Sequence, residues 1–124
     1  MSSGGISKHR RALGARGEDL AAAWYLERGY EVLDRNWRCR EGELDLVLSG
    51  AGATVFCEVK TRTSHAFGSP LEAITAVKQR RIRVLAGRWI ADRGHPGGEL
   101  RFDVVSVLAP RDAAPIVEVL EAAF

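Results

Sequence analysis

The 124-residue sequence predicts a single α/β domain in which a mixed central sheet is flanked by helices. Three patterns point there. An apolar stripe early in the chain has helical spacing, two β-prone runs are joined by a Gly-rich tetrapeptide, and a second amphipathic helix lies between that hairpin and two further strand-like runs.

The first helix is expected to begin in the Leu13–Gly17 region and to run to Arg28, with Gly29 as its stop. Glu18, Ala22, Tyr25 and Leu26 then share one face. A carboxylate therefore heads an apolar stripe, a position that demands a partner for its charge. Tyr30–Leu33 and Asn36–Arg38 read as two short strand pieces. Glu43–Leu48 and Thr54–Arg62, separated by Ser49-Gly50-Ala51-Gly52, read as an antiparallel hairpin. After a loop from Thr63 to Gly68, Ser69-Pro70-Leu71-Glu72 supplies an N-cap, a first-turn proline and a capping-box acid, and Thr75 offers a second start. Ile82, Leu85, Ala86, Trp89 and Ile90 give the longer helix its apolar stripe, which ends near Gly94. Leu100–Leu108 and Ile116–Leu120 complete the order α-β-β-β-α-β-β, and the helical crossover between hairpin and fourth strand favours a mixed sheet.

A chain of this length buries roughly two-thirds of its unfolded surface, enough for a core without staples. Its 46% hydrophobic and 27% charged residues are those of an ordinary globular protein. The net charge is only +2, but its distribution is uneven. Lys8, Arg10, Arg11 and Arg16 precede the first acid, Glu18, and the stretch from Lys78 to Arg101 adds Arg80, Arg81, Arg83, Arg88 and Arg93. A solvated helix face and tail account for such runs; a phosphate-binding surface beside a local acidic cluster is the sharper reading. Residues 1–12 are expected to form a flexible basic arm ahead of one domain over 13–124. Cys39 and Cys57 fit no zinc or CxxC spacing and read as reduced thiols of a cytoplasmic protein. No apolar run approaches about 18 residues, so no membrane span is expected.

The chemistry lies on the hairpin. In Thr54–Arg62, Phe56, Glu58 and Lys60 point to one face, and a surface salt bridge would explain Glu-x-Lys by itself. The preceding strand changes the balance, because Glu43, Asp45 and Val47 share a face and the hairpin brings Asp45 alongside Glu58. Two carboxylates from adjacent strands repel, and a hard divalent cation between them removes the repulsion. Mg²⁺ (or Mn²⁺) there would polarise a phosphate and lower the pKa of bound water, while Lys60 steadies the nucleophile or the developing charge.

Gly17-Glu18, Gly42-Glu43-Leu44-Asp45-Leu46-Val47 and Phe56-Cys57-Glu58-Val59-Lys60-Thr61-Arg62 resemble the bacterial YraN-type family of small proteins. That family is in turn similar to the archaeal Holliday-junction resolvases and the wider PD-(D/E)xK nuclease superfamily. The likeness extends through Gly68-Ser69-Pro70, Lys78, Arg101-Phe102-Asp103-Val104 and the closing Ala123-Phe124. It implies a restriction-endonuclease-like fold. It also implies catalytic roles for Glu18, Asp45, Glu58 and Lys60, with the metal held by Asp45, Glu58 and the backbone carbonyl of Val59. Lys78 resembles a basic helix residue that supports such sites. The proline of the superfamily's signature is absent, with Leu44 standing before Asp45.

Arg62, Lys78 and Arg81 are the residues expected to meet nucleic-acid phosphates. Glu43 reads equally as a second acid of the site and as an exposed strand residue. Asp103 reads as structural, paired with a nearby arginine, and Trp37 as core before it is a base-stacking surface. His9, His65 and His95 have unrelated spacings. The leading expectation is a divalent-metal-dependent endonuclease acting on DNA rather than RNA, branched or single-stranded, as a homodimer that cuts symmetrically. A nucleic-acid-binding module with a retained but inactive site, and a protein-interaction adaptor, are the competing classes.

Overall fold

The computed structural model describes residues 3–64 and 74–124, and its elements follow the expected order α-β-β-β-α-β-β. Helix α1 spans Ser3–Glu27, so it starts well ahead of the Leu13–Gly17 region. The sequence before Leu13 carries no apolar stripe, so periodicity gives no signal for a helix there. The C-terminal end is the expected one: Gly29 has φ +84°, its N–H donates to Leu26 C=O, and Tyr30 N–H donates to Tyr25 C=O.

The two pieces Tyr30–Leu33 and Asn36–Arg38 are one strand, β1 (Glu31–Cys39). A register shift between Val32 and Asp34 and a positive φ at Asn36 break the alternation without ending the pairing. Strands β2 (Gly42–Gly50) and β3 (Ala53–Arg62) form the expected hairpin. Its two turn residues, Ala51 and Gly52, both have positive φ (+50° and +75°), the conformation that matches the twist of a tight hairpin. Helix α2 (Ala76–Arg93) uses the second start: Thr75 Oγ1 accepts from Lys78 N–H at 3.2 Å, and Gly94 N–H closes the far end on Ile90 C=O at 2.8 Å. His65 and the helix start at Ser69-Pro70-Leu71-Glu72 lie outside the described residues. Strands β4 (Glu99–Leu108) and β5 (Ile116–Leu120) complete the sheet.

The sheet runs β1-β2-β3-β4-β5 in sequence order. Only β3 and β4 are parallel, and α2 makes the crossover between them. Alternation along the strands splits the core in two. Leu46, Leu48, Val55, Cys57, Val105 and Val107 pack under Ala21, Ala22 and Tyr25 of α1. Val47, Phe56 and Phe102 pack under Ile82, Leu85, Ala86 and Trp89 of α2. No described helix is long and apolar enough to cross a membrane.

Two close contacts hold α1 against the sheet. A Cβ at Gly17 would overlap Thr61 Oγ1, so the missing side chain lets α1 lie directly on β3. Asp103 is fully buried on β4, as a structural residue, and it reaches α1 through Tyr25. Arg101 grips both its carboxylate oxygens at 2.9 Å, Tyr25 O–H donates at 2.6 Å, and Ala122 N–H donates at 3.0 Å. The Asp103 carboxylate holds the Arg101 guanidinium above its usual pKa, and burial does the same to the Tyr25 phenol.

Removing the buried anion leaves Arg101, Tyr25 and Ala122 without their acceptor. Asp103→Ala is therefore expected to cost about 3–5 kcal/mol in urea unfolding, a fall in Tm of roughly 10 °C or more. Gly17→Ala should cost about 1–3 kcal/mol by overpacking, and Thr61→Gly in the same chain should recover part of that loss in the same measurement.

Candidate functional site

The β2–β3 ladder runs from Gly50↔Ala53 to Leu46↔Cys57 and stops there. At the next position Val59 N–H donates to Asp45 Oδ2 at 2.8 Å, so a side-chain carboxylate takes the place of a ladder carbonyl. Strand β3 stays paired with β4 as far as Arg62↔Leu108, while β2 stays paired with β1 down to Cys39↔Gly42. The sheet thus forks between its second and third strands, and the acids collect at the fork.

Oxygen atoms of Glu18, Glu43 and Asp45 all lie within 4.8 Å of one another. Glu18 comes from α1, delivered by the close approach at Gly17; Glu43 and Asp45 come from β2. Glu58 stands beside this trio, with its Oε1 3.2 Å from Lys60 Nζ, both side chains half-buried. Burial, then the Glu58 charge, push the Asp45 carboxyl up to about 8; the Val59 N–H opposes that rise, and Glu18 and Glu43 add to it. Glu18 is raised as well, by burial first, with an Asn36 side-chain contact opposing the rise and Glu43 adding to it.

On the α2 side a cleft of about 260 Å³ is lined by Glu43, Glu58 and Lys60 from the sheet and by Lys78 and Arg81 from the helix, with Gly42, Ile82 and Leu85. Acids on one wall face cations on the other. Of the expected site residues, Glu18, Asp45, Glu58, Lys60, Lys78 and Arg81 gather around the fork and its cleft. Val59 enters through its backbone. Arg62 does not line that cleft: at the last position of β3 it borders a separate hollow with Leu13, Thr61, Thr63 and Ser64.

Sequence pattern leaves Glu43 evenly balanced between exposed strand residue and site acid, and its place is in the trio; Arg38 Nε donates to its Oε2 at 2.9 Å. Asn36 is the site residue that sequence reasoning misses. Its signal is an Asn set inside a β-prone run, since Asn is enriched among residues with positive φ. Trp37 packs partly buried against the α2-side cluster. His95 Nδ1 accepts from Gly97 N–H at 2.8 Å. Cys57 is buried with its thiol pushed well above the usual range by desolvation, whereas Cys39 is half-buried next to the cleft's Gly42.

A five-stranded mixed sheet with a helix on each face is an α/β architecture of the restriction-endonuclease-like kind, here with carboxylates gathered at a fork in the sheet. The chain belongs to the family described as Uncharacterised protein family UPF0102, whose profile matches residues 17–107, the span that holds every acid and base of the cleft. It is 53% identical over 111 residues to a UPF0102 protein of Clavibacter michiganensis subsp. michiganensis (strain NCPPB 382), covering 90% of this chain and 94% of the relative. A UPF0102 protein of Nocardia farcinica (strain IFM 10152) is 50% identical over 115 residues, covering 93% and 91%. One from Streptomyces griseus subsp. griseus is 52% identical over 111 residues, covering 88% and 92%. The motif resemblance holds at the level of the family, whose name assigns no chemistry.

The raised Asp45 pKa has a stability consequence. Between its ordinary 3.8 and the folded value of about 8, the native chain keeps a proton that the unfolded chain has released, so stability falls as pH rises through that window. Without divalent cations, Tm is expected to decline from pH 5 to pH 8, and Asp45→Asn should flatten the decline and raise Tm at pH 8. Scanning calorimetry in EDTA across that range checks both; a Tm that rises with pH in the unsubstituted protein would contradict the account.

Proposed function

We propose that this protein is a divalent-metal-dependent endonuclease that cleaves phosphodiester bonds in DNA, with branched or single-stranded DNA as its substrate. The observation that carries the reading is the convergence of Asp45, Glu18 and Glu43 at the fork, beside the Glu58–Lys60 pair and opposite Lys78 and Arg81.

The donor chemistry fits a hard cation. All the side-chain donors are carboxylates, and the raised Asp45 and Glu18 reflect negative charge crowded into a poorly solvated place. Asp45 would be the central ligand, with Glu58 and the Val59 carbonyl on the β3 side and Glu18 and Glu43 on the other. Mg²⁺ or Mn²⁺ held there supplies Lewis acidity toward a phosphate oxygen and an acidified water.

The chain's own residues do the remaining work. Lys60, steadied by Glu58, donates to charge developing on the phosphate. Lys78 and Arg81 on α2 meet flanking phosphates and set the strand across the cleft, without reading its sequence. Val59 N–H fixes the Asp45 carboxylate so that it does not have to reorganise when the substrate arrives.

The test is cleavage of a panel of branched, flapped, duplex and single-stranded DNAs by the purified protein in Mn²⁺ or Mg²⁺. Cleavage is expected with the metal and none in EDTA. Asp45→Asn should abolish it, and Glu58→Ala and Lys60→Ala should each slow it by about 10²-fold or more. Lys78→Ala and Arg81→Ala should weaken binding and lower the slope of log affinity against log salt by about 1 each. Metal and DNA binding with no cleavage of any substrate would leave a nucleic-acid-binding module with an inactive site. Failure to bind Mn²⁺ in calorimetry would sink the metal-dependent reading.

A further inference from the structure

Asn36 sits in the middle of β1 with φ +51°, a left-handed conformation that Asn adopts more readily than most residues bearing a Cβ. The β1–β2 ladder pairs Arg35↔Leu46 and Trp37↔Leu44 on either side of it, so Asn36 stands opposite Asp45. Its backbone resets the strand. Asp34 faces α2, where it accepts from Trp89 Nε1–H at 3.0 Å, and Trp37, three residues on, packs on that same side. In a regular strand those two would face opposite ways. Asp45, opposite Asn36, has a carboxylate oxygen within 4.8 Å of one of Glu18 from α1, and the Asn36 side chain acts on that Glu18 carboxyl by opposing the rise in its pKa.

We propose that Asn36 is a positioning residue for the acidic site: its left-handed backbone opposite Asp45 aims the side-chain amide at Glu18 and fixes the α1 carboxylate against those of Asp45 and Glu43. An amide is chemically suited to this place. It donates N–H to a carboxylate without adding charge, whereas Asp would add one more negative group. Arg or Lys would neutralise the acids and displace a cation from them. Asn36 is solvent-exposed, so the contact adds little to folding and its effect is read at the site. Its consequence for metal affinity rests on the reading under Proposed function; the contact with Glu18 does not.

Asn36→Gly keeps access to positive φ and removes the side chain with its amide. Mn²⁺ affinity is measured by calorimetry for the unsubstituted protein, Asn36→Gly, Glu18→Gln and the double variant. Asn36→Gly is expected to weaken Mn²⁺ binding by about tenfold, as loss of a group that orients a ligand does. In the Glu18→Gln background it should change nothing further. Unchanged affinity in Asn36→Gly would mean that only the backbone conformation matters, and an equal loss in both backgrounds would mean that Asn36 does not act through Glu18; either result overturns the proposal. If the unsubstituted protein binds no Mn²⁺, the nuclease reading fails separately. The positioning contact is then decided by the side-chain amide NMR signal of Asn36, which should move on Glu18→Gln and whose constancy would overturn it.

Discussion

The acidic half of this structure is organised around one hydrogen bond, from Val59 N–H to Asp45 Oδ2 at 2.8 Å. A carboxylate in a position that belongs to a ladder carbonyl ends the β2–β3 pairing and lets the two strands part. The gap is where Glu18 arrives from α1 and where Glu43 and Glu58 face the cleft. The same bond opposes the rise that burial and the charges of Glu58, Glu18 and Glu43 impose on Asp45. The apolar clusters on the two faces of the sheet offset the unfavourable electrostatics that the fork concentrates.

The molecule contains a useful internal contrast. Asp103 and Asp45 are both carboxylates removed from water on neighbouring parts of one sheet. Asp103 is met by a guanidinium, a phenol and a backbone N–H, and it ties β4 to α1 and to the chain's last residues. Asp45 is met, among the described residues, by the Val59 N–H and a group of like charges. A buried acid with partners serves the fold; a half-buried acid among like charges has its carboxyl pushed up instead.

Much of this was legible in the sequence because it depends on local pattern. The two faces of Thr54–Arg62, the glycine-rich turn, the Thr75 cap, the α2 stripe and the mixed sheet implied by a helical crossover all come from periods of two and 3.6 and from turn chemistry. The parts that were not legible depend on contacts between distant segments. The start of α1 has no apolar periodicity to announce it. The continuity of β1 is hidden by a bulge and by Asn36, which look like a strand ending. Glu43 cannot be separated from an exposed strand residue without knowing that α1 brings Glu18 beside it. Arg62 shares Lys60's parity, yet at the end of β3 it borders another hollow.

The two cysteines acquire a practical meaning from where the sheet places them. Cys57 is sealed beneath α1 with its thiol pushed toward the protonated form, and half-buried Cys39 pairs with Gly42, a residue of the cleft, across the β1–β2 turn. Thiol-reactive chemistry depends on exposure, so a maleimide dye would reach half-buried Cys39 ahead of buried Cys57. The native chain thereby carries its own attachment point for a reporter, one strand pair away from the cleft.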